Sequence, residues 1–241
     1  MSDEQKELRR LTRRGFLMMG IAAGAGFAAW KWLRTRTRDG GLQWPFRRVL
    51  EANESISRGY FSTARLSPQF RRADITRARI NGRLGLKPPI DLDAWRLRIE
   101  GAAQPLLLTL DDIKALPVHE MITELRCIEG WSTIVQWKGA RLAELMEKFP
   151  PRERAGFVAL ETPDRGYYVG LDLESAIHPQ TLLAYEMNGQ PLPLLHGAPL
   201  RLAIPVKYGI KNIKRIGTIR YTNARPADFW AERGYDWYAG H

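Results

Sequence analysis

From residue 95 onward, apolar and polar positions alternate along the chain, a pattern typical of half-buried β-strands. The clearest run is residues 95–100, in which Trp95, Leu97 and Ile99 alternate with charged residues. The same pattern predicts further strands near residues 120–128, 157–162, 167–172, 199–205 and 213–222.

Two short helices are predicted between these strands. Thr109, followed by an acidic third residue, is a helix start, and Pro117 ends that helix. Residues 140–149 form the second helix, with Leu and Met on one side. Asn188-Gly189 is the dipeptide of a type I′ hairpin turn. Short helices among mostly β segments predict an α+β fold of mixed, β-rich sheets.

Residues 41–90 contain few periodic stretches and are rich in basic residues. They are expected to be irregular, and a connection of this length usually wraps the surface or contributes to a site. Residues 41–241 are expected to form a single domain, because no repeat or low-complexity tract divides them.

Residues 1–40 have the order of an export signal, with a basic segment followed by an apolar run over residues 16–30. Arg13-Arg14-Gly15-Phe16-Leu17 resembles the twin-arginine signal, whose route exports folded proteins. The pattern therefore predicts a periplasmic protein. A membrane anchor and an uncleaved N-terminal tether stay open as alternatives.

Charge and cysteine content narrow the function classes. The net charge is +11, but nine basic and four acidic residues lie in residues 1–40, so nucleic-acid binding ranks last among the hypotheses. The remaining chain is moderately basic and suits an anionic cofactor or substrate. A single cysteine excludes both an intramolecular disulfide and a cysteine-rich zinc site.

That cysteine, Cys127, lies where a predicted strand gives way to a loop containing Gly130. Arg126 beside it favours the thiolate, which binds soft metals or attacks electrophiles. The spacing alone does not distinguish a metal ligand from a nucleophile. A nucleophile needs a histidine base, and none is close to Cys127 in sequence.

Two segments carry a family resemblance. Arg126-Cys127-Ile128-Glu129-Gly130-Trp131-Ser132 and the stretch from His196 to Lys214 are similar to the molybdenum-binding and pterin-binding segments of the sulfite-oxidase-fold molybdopterin oxidoreductases, among them the periplasmic protein-methionine-sulfoxide reductases. The resemblance implies Cys127 as the protein ligand to one molybdenum. It places the cofactor-binding positions of the family at Asn53, Thr162, His196, Arg201, Asn212, Ile213 and Lys214. The family has Asn at the position of His196.

The resemblance also implies an activity. It predicts the sulfite-oxidase fold, a Mo-molybdopterin cofactor and oxygen-atom transfer, with reduction of a small-molecule or protein-bound S-oxide or N-oxide as the favoured direction. Glu129 is a candidate proton relay. The sequence has neither a haem-binding motif nor an iron–sulfur cysteine set, so electrons are expected from a separate membrane haem or cytochrome protein.

Several alternatives stay open at this stage. Oxidation of sulfite on the same cofactor is the first. The others are a metal-free enzyme with a cysteine nucleophile and a non-catalytic exported binding domain. Residues 230–238, rich in aromatic side chains, are expected to line the pocket, dock a redox partner or pack over the core.

Overall fold

The computed structural model describes residues 3–87 and 89–241, which divide into two compact units, Met1–Val49 and Leu50–His241. The first unit contains helix α1 (Asp3–Arg34) and a two-stranded antiparallel pair, β1 (Arg38–Asp39) and β2 (Leu42–Gln43). Within α1, the span Arg9–Arg34 is long and apolar enough to cross a membrane, and it is exposed. The apolar run predicted over residues 16–30 is therefore part of a longer helix.

The second unit is built mainly from strands. Helix α2 (Trp44–Tyr60) begins in the first unit and continues into the second. The other helices of the second unit are α3 (Leu110–Lys114), α4 (Leu142–Lys148) and α5 (Leu173–Ala176). The strands are β3 (Leu97–Glu100), β4 (Leu106–Leu108), β5 (His119–Arg126), β6 (Ser132–Arg141), β7 (Phe157–Glu161), β8 (Tyr168–Asp172), β9 (Leu182–Met187), β10 (Gln190–Pro191), β11 (Arg201–Ala203) and β12 (Thr218–Thr222). The fold is α+β with mixed sheets, as predicted.

The strands form two sheets. One has the order β10-β9-β6-β5, with β11 also paired to β9, and its pairs are antiparallel. The other has the order β4-β3-β12-β7-β8 and includes the parallel pair β3–β12. Apolar side chains from both sheets, such as Ile99, Leu160, Leu183 and Ile219, belong to one buried core cluster. Burial of each such side chain contributes about 1.5–3 kcal/mol to folding.

Two local sequence signals are confirmed, the helix start at Thr109 and the turn at Asn188-Gly189. The hydroxyl of Thr109 accepts a hydrogen bond from the main-chain nitrogen of Asp112, whose carboxylate accepts one from the main-chain nitrogen of Thr109. Asn188 and Gly189 both have positive φ and join β9 to β10, as a type I′ turn requires.

One expectation is wrong, and two central strands were missed. Residues 41–90 are not irregular throughout, because they include all of α2, a helix of 17 residues in which only Glu54 is buried. Phe46, Val49 and Leu50 recur at helical spacing, so the sequence does carry a signal for this helix. Strands β6 and β9 were not predicted, because neighbouring strands flank them and most of their residues are buried regardless of parity.

Candidate functional site

A cavity of about 340 Å³ brings together residues from both motifs. Six of the nine site residues predicted from the sequence line it: Cys127, Glu129, His196, Arg201, Asn212 and Lys214. The cavity is also lined by the loop over residues 78–84 and by aromatic residues from the C-terminal tail. Cys127 therefore shares one cavity with the basic 201–214 segment, as its expected role requires.

Cys127 lies at the first turn of the loop that joins β5 to β6. Its main-chain nitrogen donates to the oxygen of Trp131 at 2.9 Å, and its main-chain oxygen accepts from the nitrogen of Gly130 at 3.1 Å, where Gly130 has a φ of 84°. Such a positive φ suits glycine, which has no Cβ to clash. The tight loop fixes the thiol at the cavity wall, and burial raises the pKa of Cys127.

Gly209 allows two main-chain segments to approach each other closely. A Cβ built on Gly209 would lie 3.2 Å from the main-chain oxygen of Arg126 and 3.7 Å from the Cα of Cys127. The absence of a side chain therefore lets the 209–214 segment approach the backbone of the strand end that carries Cys127.

Arg201, on β11, is 3% exposed and is bonded to main-chain carbonyls. Its Nη1 donates to the oxygen of His196 and its Nη2 to the oxygen of Asn212, each at 3.1 Å, while the guanidinium lies 4.6 Å from the Trp137 ring centroid. Burial lowers the pKa of Arg201 to about 10. No carboxylate in the described part of the chain pairs with Arg201, so each terminal nitrogen retains one N–H for an anion.

Lys214 and His196 add to this cationic end of the cavity. The Nζ of Lys214 donates to the main-chain oxygens of Asn81 and Gly82 at 2.8 and 3.2 Å. Burial, followed by the charge of Arg201, lowers the pKa of Lys214 to about 8. Burial and the charges of Arg201 and Lys214 lower the pKa of His196 to about 4. The imidazole is therefore neutral near pH 7 and offers one donor and one acceptor.

Asn212 lines the cavity, but its side-chain amide is already engaged. Its Oδ1 accepts from the nitrogen of Ile204 at 2.9 Å, and its Nδ2 donates to the oxygens of Ile204 and Tyr208. The side chain thus holds the shape of the loop between β11 and the 209–214 segment.

The other three predicted residues lie outside the cavity lining. Ile213 is fully buried in the main core cluster. The hydroxyl of Thr162 bonds Asp164 and the main chain of Tyr167, which stabilises its own turn. Asn53 is exposed on α2. Their assignment to the cofactor stays a prediction that the cavity lining does not support directly.

Glu129 lies at the cavity beside Trp131 and Arg79. The indole nitrogen of Trp131 donates to Oε2 of Glu129 at 2.9 Å, and the guanidinium of Arg79 lies 4.9 Å from the Trp131 ring centroid. The Glu129 side chain also interacts with the Cys127 thiol, where its charge and hydrogen bond add to burial in raising the pKa of Cys127.

Several lining residues were missed by the sequence. The Nδ2 of Asn81 donates to Sγ of Cys127 at 3.5 Å, although the sequence indicated only a turn at Asn81-Gly82. Arg79, Trp137 and Tyr167 carried no motif. The aromatic tail does two of the three things considered for it: Trp230 and Tyr235 line the cavity, while residues 237 and 238 belong to a buried cluster.

The donor set fits an anionic, pterin-held metal. A thiol is a ligand for soft metals, and the free edge of the buried Arg201 guanidinium suits a phosphate. No group of three or more His, Cys, Asp or Glu that could hold a metal ion occurs among the described residues. A metal bound at Cys127 would therefore take its other ligands from a cofactor.

Comparison with known proteins agrees with these features. Residues 85–230 match the model of the oxidoreductase molybdopterin binding domain. The catalytic subunit MsrP of the protein-methionine-sulfoxide reductase of Xanthomonas campestris pv. campestris is 39% identical over 157 residues, which are 58% of this chain and 49% of that protein. The putative protein-methionine-sulfoxide reductase subunit YedZ1 of Azospira oryzae is 35% identical over 152 residues, or 63% and 58% of the two chains.

A solved structure resembles the fold. The sulfane dehydrogenase SoxCD from Paracoccus pantotrophus matches with a TM-score of 0.53 and 18% sequence identity, over 57% of this chain and 40% of that chain. The chain spans about half the length of the curated relatives it matches.

Proposed function

Because the chain belongs to the family of oxidoreductase molybdopterin binding domains, we propose that it reduces S-oxides on a molybdenum cofactor ligated by Cys127. The observation that carries this proposal is the meeting of the Cys127 thiol and the buried Arg201 guanidinium on one cavity. The first supplies a soft ligand to the metal, and the second supplies a fixed cation for a phosphate.

The geometry supports a role for several polar residues of the cavity lining. Arg201 and Lys214 bind the anionic group of the cofactor, and neutral His196 exchanges hydrogen bonds with the pterin edge. Asn81 orients the Cys127 sulfur through its side-chain amide. The bound cofactor supplies two-electron oxygen-atom transfer. Asn212 shapes the loop, and the family positions that fall on Asn53, Thr162 and Ile213 have no contact with the cavity to support a direct role.

The reaction balances with an external reductant. The S=O bond breaks, the sulfur is reduced to a sulfide by two electrons, and the oxygen leaves as water with two protons. Glu129 is the carboxylate in the cavity lining, and it is assigned to pass those protons because a carboxylate exchanges protons and this one lies beside Cys127. The electrons come from a separate one-electron donor of the haem class.

The direction of the reaction rests on the relatives. Two of them carry names that describe protein-methionine-sulfoxide reductases, which favours reduction of a small or protein-bound S-oxide over oxidation of sulfite and over reduction of an N-oxide.

We also propose that the chain acts outside the cytoplasm. Arg13 and Arg14 lie in α1 at the start of its apolar part, and the span Arg9–Arg34 suits a signal or a membrane tether. A cofactor buried in the fold must be inserted before export, which suits the twin-arginine route. A tether would also hold the chain near a membrane haem donor.

The test is metal analysis of the full chain purified from a molybdenum-competent host. We expect one molybdenum per chain in the wild type and in Val118→Ala, a change at an exposed residue between α3 and β5. We expect a clearly lower molybdenum content in Cys127→Ala, because one of the metal's ligands is lost while the cofactor supplies the others, with circular dichroism showing that the variant folds. Stoichiometric molybdenum in Cys127→Ala would overturn the assignment of the ligand.

Turnover with reduced viologen then tests the substrate class. We expect S-oxides to be reduced faster than N-oxides, and sulfite not to be oxidised. A fully molybdenum-loaded protein that reduces no S-oxide but oxidises sulfite would overturn the proposed direction.

A further inference from the structure

Part of the cavity lining is aromatic. Tyr167, Trp230 and Tyr235 belong to it and are called here the aromatic wall. The Trp230 and Tyr235 ring centroids lie 5.1 Å apart at 79°. Phe229 links Tyr167 to Trp230, since its ring centroid lies 5.2 Å from that of Tyr167 and 5.4 Å from that of Trp230. These edge-to-face and tilted contacts make the aromatic wall a continuous surface.

The aromatic wall is held by buried polar contacts. The Nζ of Lys211 donates to Oδ2 of Asp228 at 2.6 Å, and this ion pair is almost fully buried. Oδ1 of Asp228 accepts from the main-chain nitrogens of Trp230 and Ala231 at 3.2 and 3.1 Å. The segment that supplies Lys214 to the cationic end therefore also fixes the backbone of Trp230. A surface fixed in this way is suited to discriminate between substrates.

Tyr167 connects the aromatic wall to the region around Cys127. Its hydroxyl donates to the main-chain oxygen of Ile210 at 2.5 Å. Burial raises the pKa of Tyr167, and the charges of Asp228 and Cys127 raise it further. The phenol is thus protonated and already bonded, so Tyr167 presents its ring to the cavity.

The chemistry of the aromatic wall favours an uncharged, apolar group. Ring faces bind methyl, thioether and aryl groups by apolar burial and by sulfur–aromatic contacts. Arg201 and Lys214, the cations of the same lining, are assigned to the proposed cofactor. An S-oxide has one polar oxygen and two carbon substituents, so it matches a site that combines a metal with aromatic rings.

We propose that Trp230 is the residue that determines specificity, binding the carbon substituents of the S-oxide sulfur, with aryl and long thioether groups preferred over methyl. This inference rests on the proposed function. Trp230 is half-buried, belongs to a short segment at residues 228–235 and packs against the main core cluster, so Trp230→Phe is the variant that best preserves the packing.

The experiment compares wild type, Trp230→Ala and Trp230→Phe as full-length, molybdenum-loaded chains. Tyr60→Ala, at an exposed aromatic residue outside the cavity lining, is the matched control. Reduction of methyl phenyl sulfoxide and of dimethyl sulfoxide is measured with reduced viologen. We expect kcat/KM for the aryl substrate to fall about 10- to 100-fold in Trp230→Ala. The value for dimethyl sulfoxide should fall by much less, and Trp230→Phe should lie between wild type and Trp230→Ala.

Binding gives a second measurement that needs no turnover. Methyl phenyl sulfone, which has the same substituents, is titrated into each chain by calorimetry. We expect its affinity to fall in Trp230→Ala and to be unchanged in Tyr60→Ala. A ratio of aryl to dimethyl turnover that is the same in all four chains, or sulfone affinity unchanged by Trp230→Ala, would overturn the role of Trp230. If Trp230→Ala does not fold, Trp230→Phe decides by the same ratio.

The failure of the proposed function would look different. In that case the molybdenum-loaded wild type would reduce neither sulfoxide. A loaded wild type that reduces both, with a ratio insensitive to residue 230, would leave the proposed function standing and remove only this inference.

Discussion

The side-chain amide of Asn81 donates a hydrogen bond to Sγ of Cys127 at 3.5 Å, joining the loop before β3 to the end of β5. The main-chain oxygen of Asn81 accepts from Nζ of Lys214. One loop residue therefore contacts both the proposed metal ligand and the cationic end of the cavity. Residues that orient a metal ligand commonly change metal affinity by about 10- to 100-fold when they are replaced.

Replacement of Asn81 by Leu is expected to weaken cofactor retention. The substitution removes the N–H···S bond but leaves the main-chain oxygen that Lys214 uses. Because Asn81 is exposed, the free energy of unfolding of the cofactor-free chain should change by only about 0.5 kcal/mol or less. We expect molybdenum content after gel filtration to fall. The control is Asn223→Leu, at an exposed asparagine that lines a different surface cavity, and this variant should retain its molybdenum. Equal molybdenum in both variants would show that the contact has no such role.

Local chemistry explains which parts of the site were predictable. Cys127, Arg201 and Lys214 lie in two short motifs that carry the family resemblance, so the sequence proposed them as candidates, and all three line one cavity. Asn81 was missed because its contact joins positions 46 residues apart, across a loop without periodicity. The sequence assigned Asn212 to the cofactor. In the structure its side-chain amide accepts a hydrogen bond from the main chain of Ile204, a contact that no residue type in the sequence indicates.

The same distinction between local sequence signals and tertiary contacts holds for the secondary structure. Capping at Thr109 and the turn at Asn188-Gly189 follow from interactions over a few residues, and both were predicted. Strand β6 was missed because β5 and β9 cover its two edges and both of its faces carry buried residues. Such burial is decided by tertiary packing and leaves no alternation in the sequence.

Replacement of Arg201 by Met should reduce the stabilisation that the cofactor gives to the fold. A ligand that binds only the folded state raises its stability in proportion to the logarithm of its affinity. The substitution removes the free guanidinium edge while keeping an apolar side chain against Trp137. We expect the difference in Tm between cofactor-loaded and cofactor-free protein to shrink by several degrees.

Calorimetry measures this difference in Tm between cofactor-loaded and cofactor-free protein, obtained from pterin-competent and pterin-deficient hosts. Arg220→Met, at a half-exposed arginine on β12 paired with Glu100, serves as the control and should leave it unchanged. Arg201→Lys keeps a charge but loses the planar fork and should lie between. A full cofactor-induced shift in Arg201→Met would exclude Arg201 as the phosphate partner.

His196 should make the chain less stable in mild acid. Its pKa is lowered from 6.5 to about 4 by burial and the nearby cations. Between pH 4 and 6.5 the unfolded chain holds the extra proton, so the free energy of unfolding falls as the pH falls through that window. In His196→Asn this contribution should disappear. Urea unfolding at pH 4.5, 5.5 and 6.5 measures it, with His119→Asn, at a partly exposed histidine on β5, as the control. Parallel profiles for wild type and His196→Asn would contradict the prediction.

Lys207 should give a pH dependence of the same sign in a higher window. Its Nζ lies 2.8 Å from the Tyr238 ring centroid and has no hydrogen-bond partner within the described residues. Burial lowers its pKa from 10.5 to about 6. Between these values the folded chain keeps Lys207 neutral while the unfolded chain is protonated, so the free energy of unfolding rises with pH. One proton gives a slope of up to about 1.4 kcal/mol per pH unit.

Comparison of variants separates Lys207 from its neighbours. Burial also lowers the pKa of Lys211 and Lys214, so these residues add slopes of the same sign, and the wild-type slope alone decides nothing. In Lys207→Met the ammonium is gone but the aliphatic stem still packs against Tyr238. Urea unfolding at pH 6.5, 7.5 and 8.5 should therefore show a shallower slope in Lys207→Met than in wild type and in Lys114→Met, a change at an exposed lysine on α3. Identical slopes in all three chains would mean that Lys207 remains charged in the folded state, which would require an acceptor for its ammonium that displaces it from the Tyr238 ring.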